Sequence, residues 1–431
     1  MNRYLTLDPG FGKPADRYYG RVDSVEVIDN QRSELLIQVD AVAADDFDSK
    51  RLGAGPLTDA MEGLELAVLE FSSLSIPQPL TSSLGQILEP GRWLEVREAR
   101  PHVTSVDVDY YPGLFADGVT RASEITLVDE KLALKLSEAF SMDDIADATG
   151  TEIGALLDPV PPADFVTVFD VGQGNLNALW QSNKGATLYF DFGGGVTANT
   201  RTYPKKPLTP CLTGLPPVVL SHWDWDHWSS VGRYTQALNL HWIVPRCVHP
   251  GAHHRAFAWA LHRLGHLHFW PRNMPDYQGA YFRIEKCTGV GRNDSGLAMT
   301  VYGEKGGDFD RKVLLTGDAA YDCIPEVQAR KTQFGAVVAS HHGAIVSSIT
   351  EAKPSVSLKT NAALVYSVGH GNGFGHPRLH AELDYLLSGW LPDNTYSTAQ
   401  YIRSRPNAIG IRLSSNPSRT GCGTCNPKLI C

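Results

Sequence analysis

Five short apolar runs in this chain each empty into a carboxylate, a histidine pair or a glycine cluster, and that repetition restricts the fold more than any other feature. Ala186 to Phe190 precedes Asp191-Phe192-Gly193-Gly194-Gly195, Val218 to Leu220 precedes Ser221-His222-Trp223-Asp224-Trp225-Asp226-His227, and Val313 to Leu315 precedes Thr316-Gly317-Asp318. Gly335 to Ser340 delivers His341-His342-Gly343, and Ala363 to Val368 runs into Gly369, with Asn372-Gly373-Phe374-Gly375-His376-Pro377 beyond. Short apolar runs bounded by turn residues predict buried strands. Ligand-type side chains at the ends of several such strands predict a shared rim, because each group alone is costly to desolvate.

The densest of these strand ends has the chemistry of a metal site. Imidazole and carboxylate together suit zinc, manganese or iron, and the His-x-Asp-x-Asp-His spacing lets alternate residues of one turn serve two ions. His222, Asp224, Asp226 and His227 are candidate ligands, with Asp318, His341 and His342 closing the site from other strands. The glycines after Asp191 permit close backbone approach.

In chain order, Phe169-Asp170-Val171-Gly172-Gln173-Gly174, the Asp191 turn, Ser221 to His227, Asn293-Asp294-Ser295, Thr316-Gly317-Asp318, Ser340 to Gly343 and Asn372 to Pro377 form a set. It resembles the motif set of the metallo-β-lactamase superfamily, and within it the branch that includes the nuclease domain of the DNA-uptake competence protein ComEC. The resemblance implies an α/β protein whose catalytic part is an αββα sandwich with metals at one edge. It implies two divalent ions, zinc or manganese, bridged by Asp318, and a hydrolase acting on a phosphodiester of DNA or RNA. Asp226, His227, Asp318 and one of His341 and His342 would hold the second ion. Asp226, Asp318, His342 and His376 would carry the chemistry, with His376 beside the substrate phosphate. Asp191 would orient a metal-binding His, Asn293, Asp294 and Asn372 would line the site, and Ser340 or the spare histidine would protonate the leaving oxygen. The chain departs from the pattern in four places. Asp224 replaces the second His, Asn293-Asp294-Ser295 stands where the first ion's third His is usual, Ser229-Ser230 replaces a glycine pair, and Asn175 replaces an Asp.

At 431 residues, 42% hydrophobic and 20% charged, the chain has the composition of a soluble globular protein of two or three domains. No apolar run approaches the roughly 20 residues of a membrane span. Met1 to Leu5 lacks the apolar core of a secretory signal, so a cytoplasmic location is expected, with no membrane partner. Cys211, Cys247, Cys287 and Cys323 are scattered singly, as reduced thiols are. Cys422, Cys425 and the terminal Cys431 make a cysteine-containing tail over 416–431, with the make-up of a zinc clip or a mobile end.

Charge divides the chain. Residues 1–160 carry 13 Lys and Arg against 29 Asp and Glu, and residues 161–431 carry 25 against 18. The second part is therefore the one expected to meet a nucleic-acid substrate, while the acidic first part suits solubility or a protein partner. Strand-like alternation at Val22 to Ile28, Leu35 to Val39, Leu64 to Phe71, Trp93 to Val96 and Val103 to Val108 predicts a mainly β domain over 1–120, a small barrel or sandwich. Helical spacing over 123–157, with a start at Ser141-Met142-Asp143-Asp144, predicts a short helical hairpin within 121–160 that ends in the stiff Asp158-Pro159-Val160-Pro161-Pro162 linker. The catalytic domain then covers 161–415.

Between the metal motifs, Ala252 to Arg272 is rich in His, Arg and aromatics. Phe257, Leu261 and Leu264 predict an amphipathic helix lying on the sandwich, with Arg255 and Arg263 facing a phosphate backbone. Trp223, Trp225 and Trp228 read either as core beneath the metal turn or as walls that stack on a nucleobase. Two other classes fit the same residues: a metallohydrolase of a small ester or nucleotide, and a regulated module whose acidic N-terminal domain occludes the site.

Overall fold

A computed structural model of the protein describes residues 1–7, 14–29, 34–50, 55–75, 89–205, 208–304, 311–346, 353–357, 361–399, 408–414 and 428–430. Cys422, Cys425 and Cys431 lie outside them. The chain divides into two compact units, one made of Met1–Ala146 with Cys247–Gly265, the other of Asp147–Arg246 with His266–Cys431.

The first unit is a closed antiparallel barrel. Its strands are β1 (Arg17–Asp29), β2 (Glu34–Ala43), β3 (Leu66–Ser72), β4 (Trp93–Glu98), β5 (Val106–Tyr111) and β6 (Val119–Leu127), in the order β1-β2-β3-β5-β6-β4 with β4 returning to β1. Alternate residues such as Ile37, Val39, Ala41 and Ala43 on β2, and Val106, Val108 and Tyr110 on β5, fill the interior. Closure leaves no free sheet edge. Leu127, expected in a helix, ends β6 and pairs with Leu94.

The two helices expected as a hairpin fall in different compact units. The helix Glu130–Phe140, capped by Asp129, belongs to the barrel unit, where Phe140 stacks on Trp93 with ring centroids 5.8 Å apart. The helix Gly150–Leu157 belongs to the other unit and sends Ile153 and Leu157 into its core. Its start is set by a Thr149–Glu152 capping box, which outcompetes Ser141, whose hydroxyl instead accepts a turn hydrogen bond from the Asp143 amide.

The helix Ala252–Arg263, expected with the sandwich, is part of the barrel unit instead. Buried polar pairs hold it there. Asp40 of β2 accepts from the backbone N–H of His253 at 3.0 Å and pairs with its Nδ1 at 2.7 Å. Arg255 makes a bidentate pair with Asp144 at 2.7 and 2.8 Å and donates from Nε to the Leu57 carbonyl. The pattern of Phe257 and Leu261 correctly marks an apolar face, but periodicity carries no information about which domain that face meets.

The second unit is a two-sheet sandwich. Its further strands are β7 (Phe165–Phe169), β8 (Leu176–Gln181), β9 (Gly185–Phe192), β10 (Val218–Val219), β11 (Trp242–Val244), β12 (Leu267–Phe269), β13 (Asp276–Gln278), β14 (Phe282–Lys286), β15 (Leu297–Tyr302) and β16 (Lys312–Leu315). They continue with β17 (Gln333–Phe334), β18 (Ala336–Val338), β19 (Ser355–Val356), β20 (Ala363–Tyr366), β21 (Thr395–Ser397), β22 (Ala408–Arg412) and β23 (Lys428–Ile430). One sheet runs β12-β11-β10-β9-β8-β7-β22-β23 and the other β13-β14-β15-β16-β18-β20-β21. Val166, Val168, Leu188, Phe190, Val219 and Ile243 from the first sheet meet Met299, Val313, Leu315, Val338 and Val365 from the second in one core. The outer face of the second sheet, including Leu314, Val337 and Leu364, packs with Tyr321, Tyr385 and Trp390.

Both sheets are mixed, with one run of parallel strands each; in the first sheet the edge pair β22–β23 is parallel as well. β9 through β12 are parallel, as are β16, β18, β20 and β21. The apolar runs that opened the sequence argument are these parallel strands, buried on both faces, so they read as continuous rather than alternating hydrophobics. Their carboxyl ends lead into the candidate site, the position where open α/β sheets hold ligands. No helix among the described residues is long and apolar enough to cross a membrane.

Candidate metal centre

The centre is built outward from Asp191, the last but one residue of β9, fully buried and with φ 65°. Its Oδ1 accepts from the Ser221 backbone N–H at 2.6 Å, and its Oδ2 from the Ser221 hydroxyl at 2.8 Å. The same Oδ2 lies 2.8 Å from His227 Nδ1. Ser221 Oγ, its proton given to Asp191, is left to accept from His222 Nδ1 at 3.0 Å. One buried carboxylate thereby fixes the tautomer of two histidines, placing their Nε2 lone pairs outward. His342 is fixed separately: its Nδ1 donates to the Ser367 carbonyl at 2.7 Å, at the end of β20.

Four buried atoms then lack any hydrogen-bond partner: His222 Nε2, His227 Nε2, His342 Nε2 and Asp318 Oδ1. Orphaned polar atoms in a folded interior are rare, and these converge. Asp318 Oδ1 lies 3.1 Å from His227 Nε2 and 3.8 Å from His342 Nε2. Asp226 Oδ2 lies 3.2 Å from His342 Nε2, and its Oδ1 lies 3.8 Å from His227 Nε2. These are spacings of atoms that share a cation at 2.0–2.2 Å. The donor set fits a divalent ion.

The electrostatics agree. Burial pushes the Asp318 carboxyl up, but His227, His341, His342 and His222 together hold it well below the usual carboxylate range. Burial pushes His227 down, and Asp318 and Asp191 more than reverse that, raising it well above the ordinary imidazole value. Imidazoles and carboxylates that hold one another charged exchange protons for a cation when a metal binds.

On the other side of Asp318, Oδ2 lies 3.7 Å from His222 Nε2 and 3.6 Å from His341 Nε2. Asp224 turns Oδ2 toward His222 Nε2 at 3.2 Å, while its Oδ1 accepts from Arg292 Nη1 at 3.0 Å. Burial pushes the Asp224 carboxyl up, yet His222 and Arg292 hold it well below its usual range. Arg292 is the site residue that sequence reasoning missed. Its only signal was a cation directly before the Asn293-Asp294-Ser295 motif.

Backbone geometry aims these side chains. His341 and His342 both occupy the left-handed region, with φ 47° and 56°, which is unusual for residues with a side chain. Gly193 lies so close beneath the metal turn that a Cβ there would stand 1.7 Å from the Asp226 carbonyl oxygen.

The remaining expected residues sit as follows. Asp294 Oδ1 accepts from the Ala320 amide at 2.8 Å and so braces the loop after Asp318, while Asn293 is half-buried beside it. Ser340 is buried with its hydroxyl donated to the Ala319 carbonyl at 2.7 Å, a bracing contact rather than a free proton donor. Asn372 spans its own loop, donating to the Gly369 and His376 carbonyls and accepting from the His376 amide. His376 is buried near the centre, its ring 5.7 Å from that of His341 and its Nδ1 3.4 Å from the Gln173 amide nitrogen. Burial, followed by the nearby His341 and His342, holds it well below the ordinary imidazole value, so it is neutral at pH 7.

Arg255 and Arg263 belong to the barrel unit and not to the unit that carries the metal residues. Arg255 is fully buried against Asp144, and Arg263 pairs with Glu62. Trp223, Trp225 and Trp228 are all buried, with Trp223 Nε1 donating to the Pro245 carbonyl, so they are core beneath the turn rather than stacking platforms.

No family model matches this chain, and no curated protein does. Among solved structures it is similar to an archaeal metallo-β-lactamase superfamily protein from Sulfolobus tokodaii, at 11% identity and TM-score 0.22, covering 36% of this chain and 64% of that one. It is also similar to a long form RNase Z from yeast, at 11% identity and TM-score 0.25, covering 58% of this chain and 41% of that one. In both cases less than two thirds of the other chain is spanned.

Among the described residues, one other grouping of ligand-type atoms, Asp23, Asp40 and His254, lies in the barrel unit. There His254 Nδ1 lies 3.1 Å from the Gly251 amide nitrogen and 3.3 Å from Asp40 Oδ2, so the ring is engaged by the helix start and by Asp40. Asp40 and His254 both engage backbone amides at the start of the helix Ala252–Arg263.

Proposed function

We propose that this chain is a metal-dependent hydrolase of phosphodiesters, acting on DNA or RNA. The observation that carries the proposal is the set of orphaned, tautomer-fixed donors around Asp318 at the carboxyl ends of parallel strands. A divalent ion, zinc or manganese, supplies Lewis acidity there when bound and a water whose pKa falls from about 15.7 toward about 7.

This chain's own residues supply the rest. Asp226, His227, His342 and Asp318 would hold the ion, and Asp191 keeps His227 in the donor-ready tautomer. His376, neutral and with Nδ1 facing the Gln173 amide, carries its proton on Nε2, where it serves as a hydrogen-bond donor to a phosphate oxygen. Arg292 adds a fixed positive charge beside Asp224, which favours an anionic phosphoryl group over a neutral acyl substrate.

Net charge contributes less to this choice than the linear sequence implied. Counted over the folded units, the one bearing the site has 23 Lys and Arg against 21 Asp and Glu, and the barrel unit 15 against 26. The basic excess beyond residue 160 includes Arg255 and Arg263, which fold with the barrel, and omits the acidic Asp147, Glu152 and Asp158, which fold with the sandwich. The site-bearing unit is close to neutral, so the local charge of Arg292 and the ion is what would draw a phosphodiester.

The test is cleavage of labelled single-stranded DNA, double-stranded DNA and RNA by the full chain with added manganese or zinc, beside an Asp226→Ala/His227→Ala double variant and a chromogenic carboxylic ester. Metal-dependent cutting lost in the variant supports the proposal and identifies the polymer. Ester hydrolysis without cutting of any nucleic acid overturns it in favour of a small-ester hydrolase.

A further inference from the structure

The resemblance to the metallo-β-lactamase superfamily implies two ions, yet the two sides of Asp318 are not equally prepared for one. Among the described residues, the ligand-type groups of this unit that close within 4.8 Å are His222–His227–Asp318 and Asp226–His227–His342. Both use His227, whose Nδ1 is committed to Asp191, so its single remaining nitrogen serves one ion. Asp224 belongs to neither set. It is held instead by Arg292, whose side chain is only 8% exposed and whose Nη1 stands 3.0 Å from Asp224 Oδ1. No histidine occurs in the Arg292-Asn293-Asp294-Ser295 segment, where a third ligand for that ion would be supplied.

We propose that Arg292 takes the place of the second cation, so that the centre holds one tightly bound divalent ion on the His227–His342 side and a guanidinium on the Asp224 side. The physical reason is competition for one carboxylate. A divalent ion bound to Asp224 would share it with a buried guanidinium that cannot lose its proton, and like charges at that distance in a desolvated pocket repel. The guanidinium already holds Asp224 Oδ1, so an ion on this side would share that carboxylate and rely on His222, His341 and Asp318 Oδ2 without a third histidine from the Asn293 segment. Arg292 is then the fixed positive charge that meets the substrate phosphate opposite the ion, a planar donor suited to two phosphate oxygens. This inference rests on the metal-dependent reading of the site above.

The experiment is metal counting on the full chain, read without substrate. Protein stripped with chelator, reloaded with excess zinc or manganese and desalted is analysed by elemental mass spectrometry. One ion per chain is expected for the wild type, and two for Arg292→Ala, in which Asp224 is released. Two ions per wild-type chain overturn the proposal, and so does a count that stays at one in Arg292→Ala, since the guanidinium would not then be what excludes the second ion. Asp226→Ala/His227→Ala should bind none. The count does not depend on cleavage, so failure of the phosphodiesterase reading appears as a loaded but inactive protein, and failure of this inference as a wrong number of ions.

Discussion

Replacing Asp191 by Asn tests the centre at a residue that touches no ion. The substitution keeps shape and removes one negative charge from a fully buried position. Asp191 at present serves three donors: the Ser221 amide at 2.6 Å, the Ser221 hydroxyl at 2.8 Å and His227 Nδ1 at 2.8 Å. An Asn side chain has one oxygen, which the Ser221 amide would retain. Its NH2 group would then face His227 Nδ1, which must accept instead of donate. The His227 proton moves to Nε2, the atom 3.1 Å from Asp318 Oδ1 that the ion needs. Loss of such an outer partner costs about 10–100-fold in metal affinity, or about 1.4–2.8 kcal/mol. Complete burial of Asp191 places the expected loss at the upper end. Zinc affinity would be measured by competition with a chromogenic chelator, with thermal unfolding of the metal-free protein to verify the fold. Ser221→Ala, which removes the relay to His222 but leaves the carboxylate, should lose less. An Asp191→Asn protein that is folded and binds zinc within twofold of wild type would refute the reasoning.

His376→Ala should lower kcat by about 10²–10³-fold, the effect of removing one preorganised donor, while leaving metal content unchanged; a parallel loss of metal would make it a structural residue instead. Arg255→Met should destabilise the barrel unit by about 3 kcal/mol, since it leaves the partners of a buried ion pair behind, and should leave the turnover of folded protein unaltered. A selective rise in KM for nucleic acid with stability intact would return Arg255 to the substrate-binding role that its place in the sequence suggested. Leu315→Ala, in the core shared by the two sheets, should cost about 2–5 kcal/mol by urea unfolding. Burial pushes the Asp40 carboxyl up, but His253 and His254 hold it well below its usual range. A carboxylate whose folded pKa is depressed stabilises the fold above its unfolded value near 3.9 and loses that contribution as pH falls toward the folded value. The urea midpoint of the wild type should therefore drop below about pH 4, and Asp40→Asn should show a flatter profile there; identical slopes would exclude Asp40 as the source.

What could be read from the sequence follows from the range of the forces involved. The strand ends were legible because a strand buried on both faces is a continuous apolar run, and because Asp318 and His342 follow theirs within three or four residues. The barrel strands were legible through alternation, but β6 was not: Val119 to Leu127 buries only Ser123, Glu124 and Ile125 among its nine residues, so its apolar pattern is weak. The assignment of Ala252–Arg263 to the barrel unit was invisible. Arg255 is a charged residue whose position is decided by Asp144, 111 residues away in sequence, and no local pattern encodes such a partner. Arg292 was hidden for the same reason, since its meaning comes from Asp224, 68 residues earlier.

The same distinction explains why the local backbone of the centre is strained where it is. Of the eight residues other than glycine with positive φ among the described residues, Asp191, His341 and His342 belong to the centre. A left-handed conformation costs such residues roughly 1–3 kcal/mol and persists only where surrounding contacts over-determine it. Here they do: three hydrogen bonds hold Asp191, and the Ser367 carbonyl holds His342. Asp191 is the last but one residue of β9, and His341 and His342 are the third and fourth past β18, so a sharp reversal is needed to turn each side chain along the strand axis and into the rim. A glycine would make that turn without strain, but it carries no ligand. The centre therefore combines two solutions at neighbouring turns, glycine where backbone must approach backbone, as at Gly193 beneath Asp226, and a strained histidine or aspartate where a donor atom must be delivered.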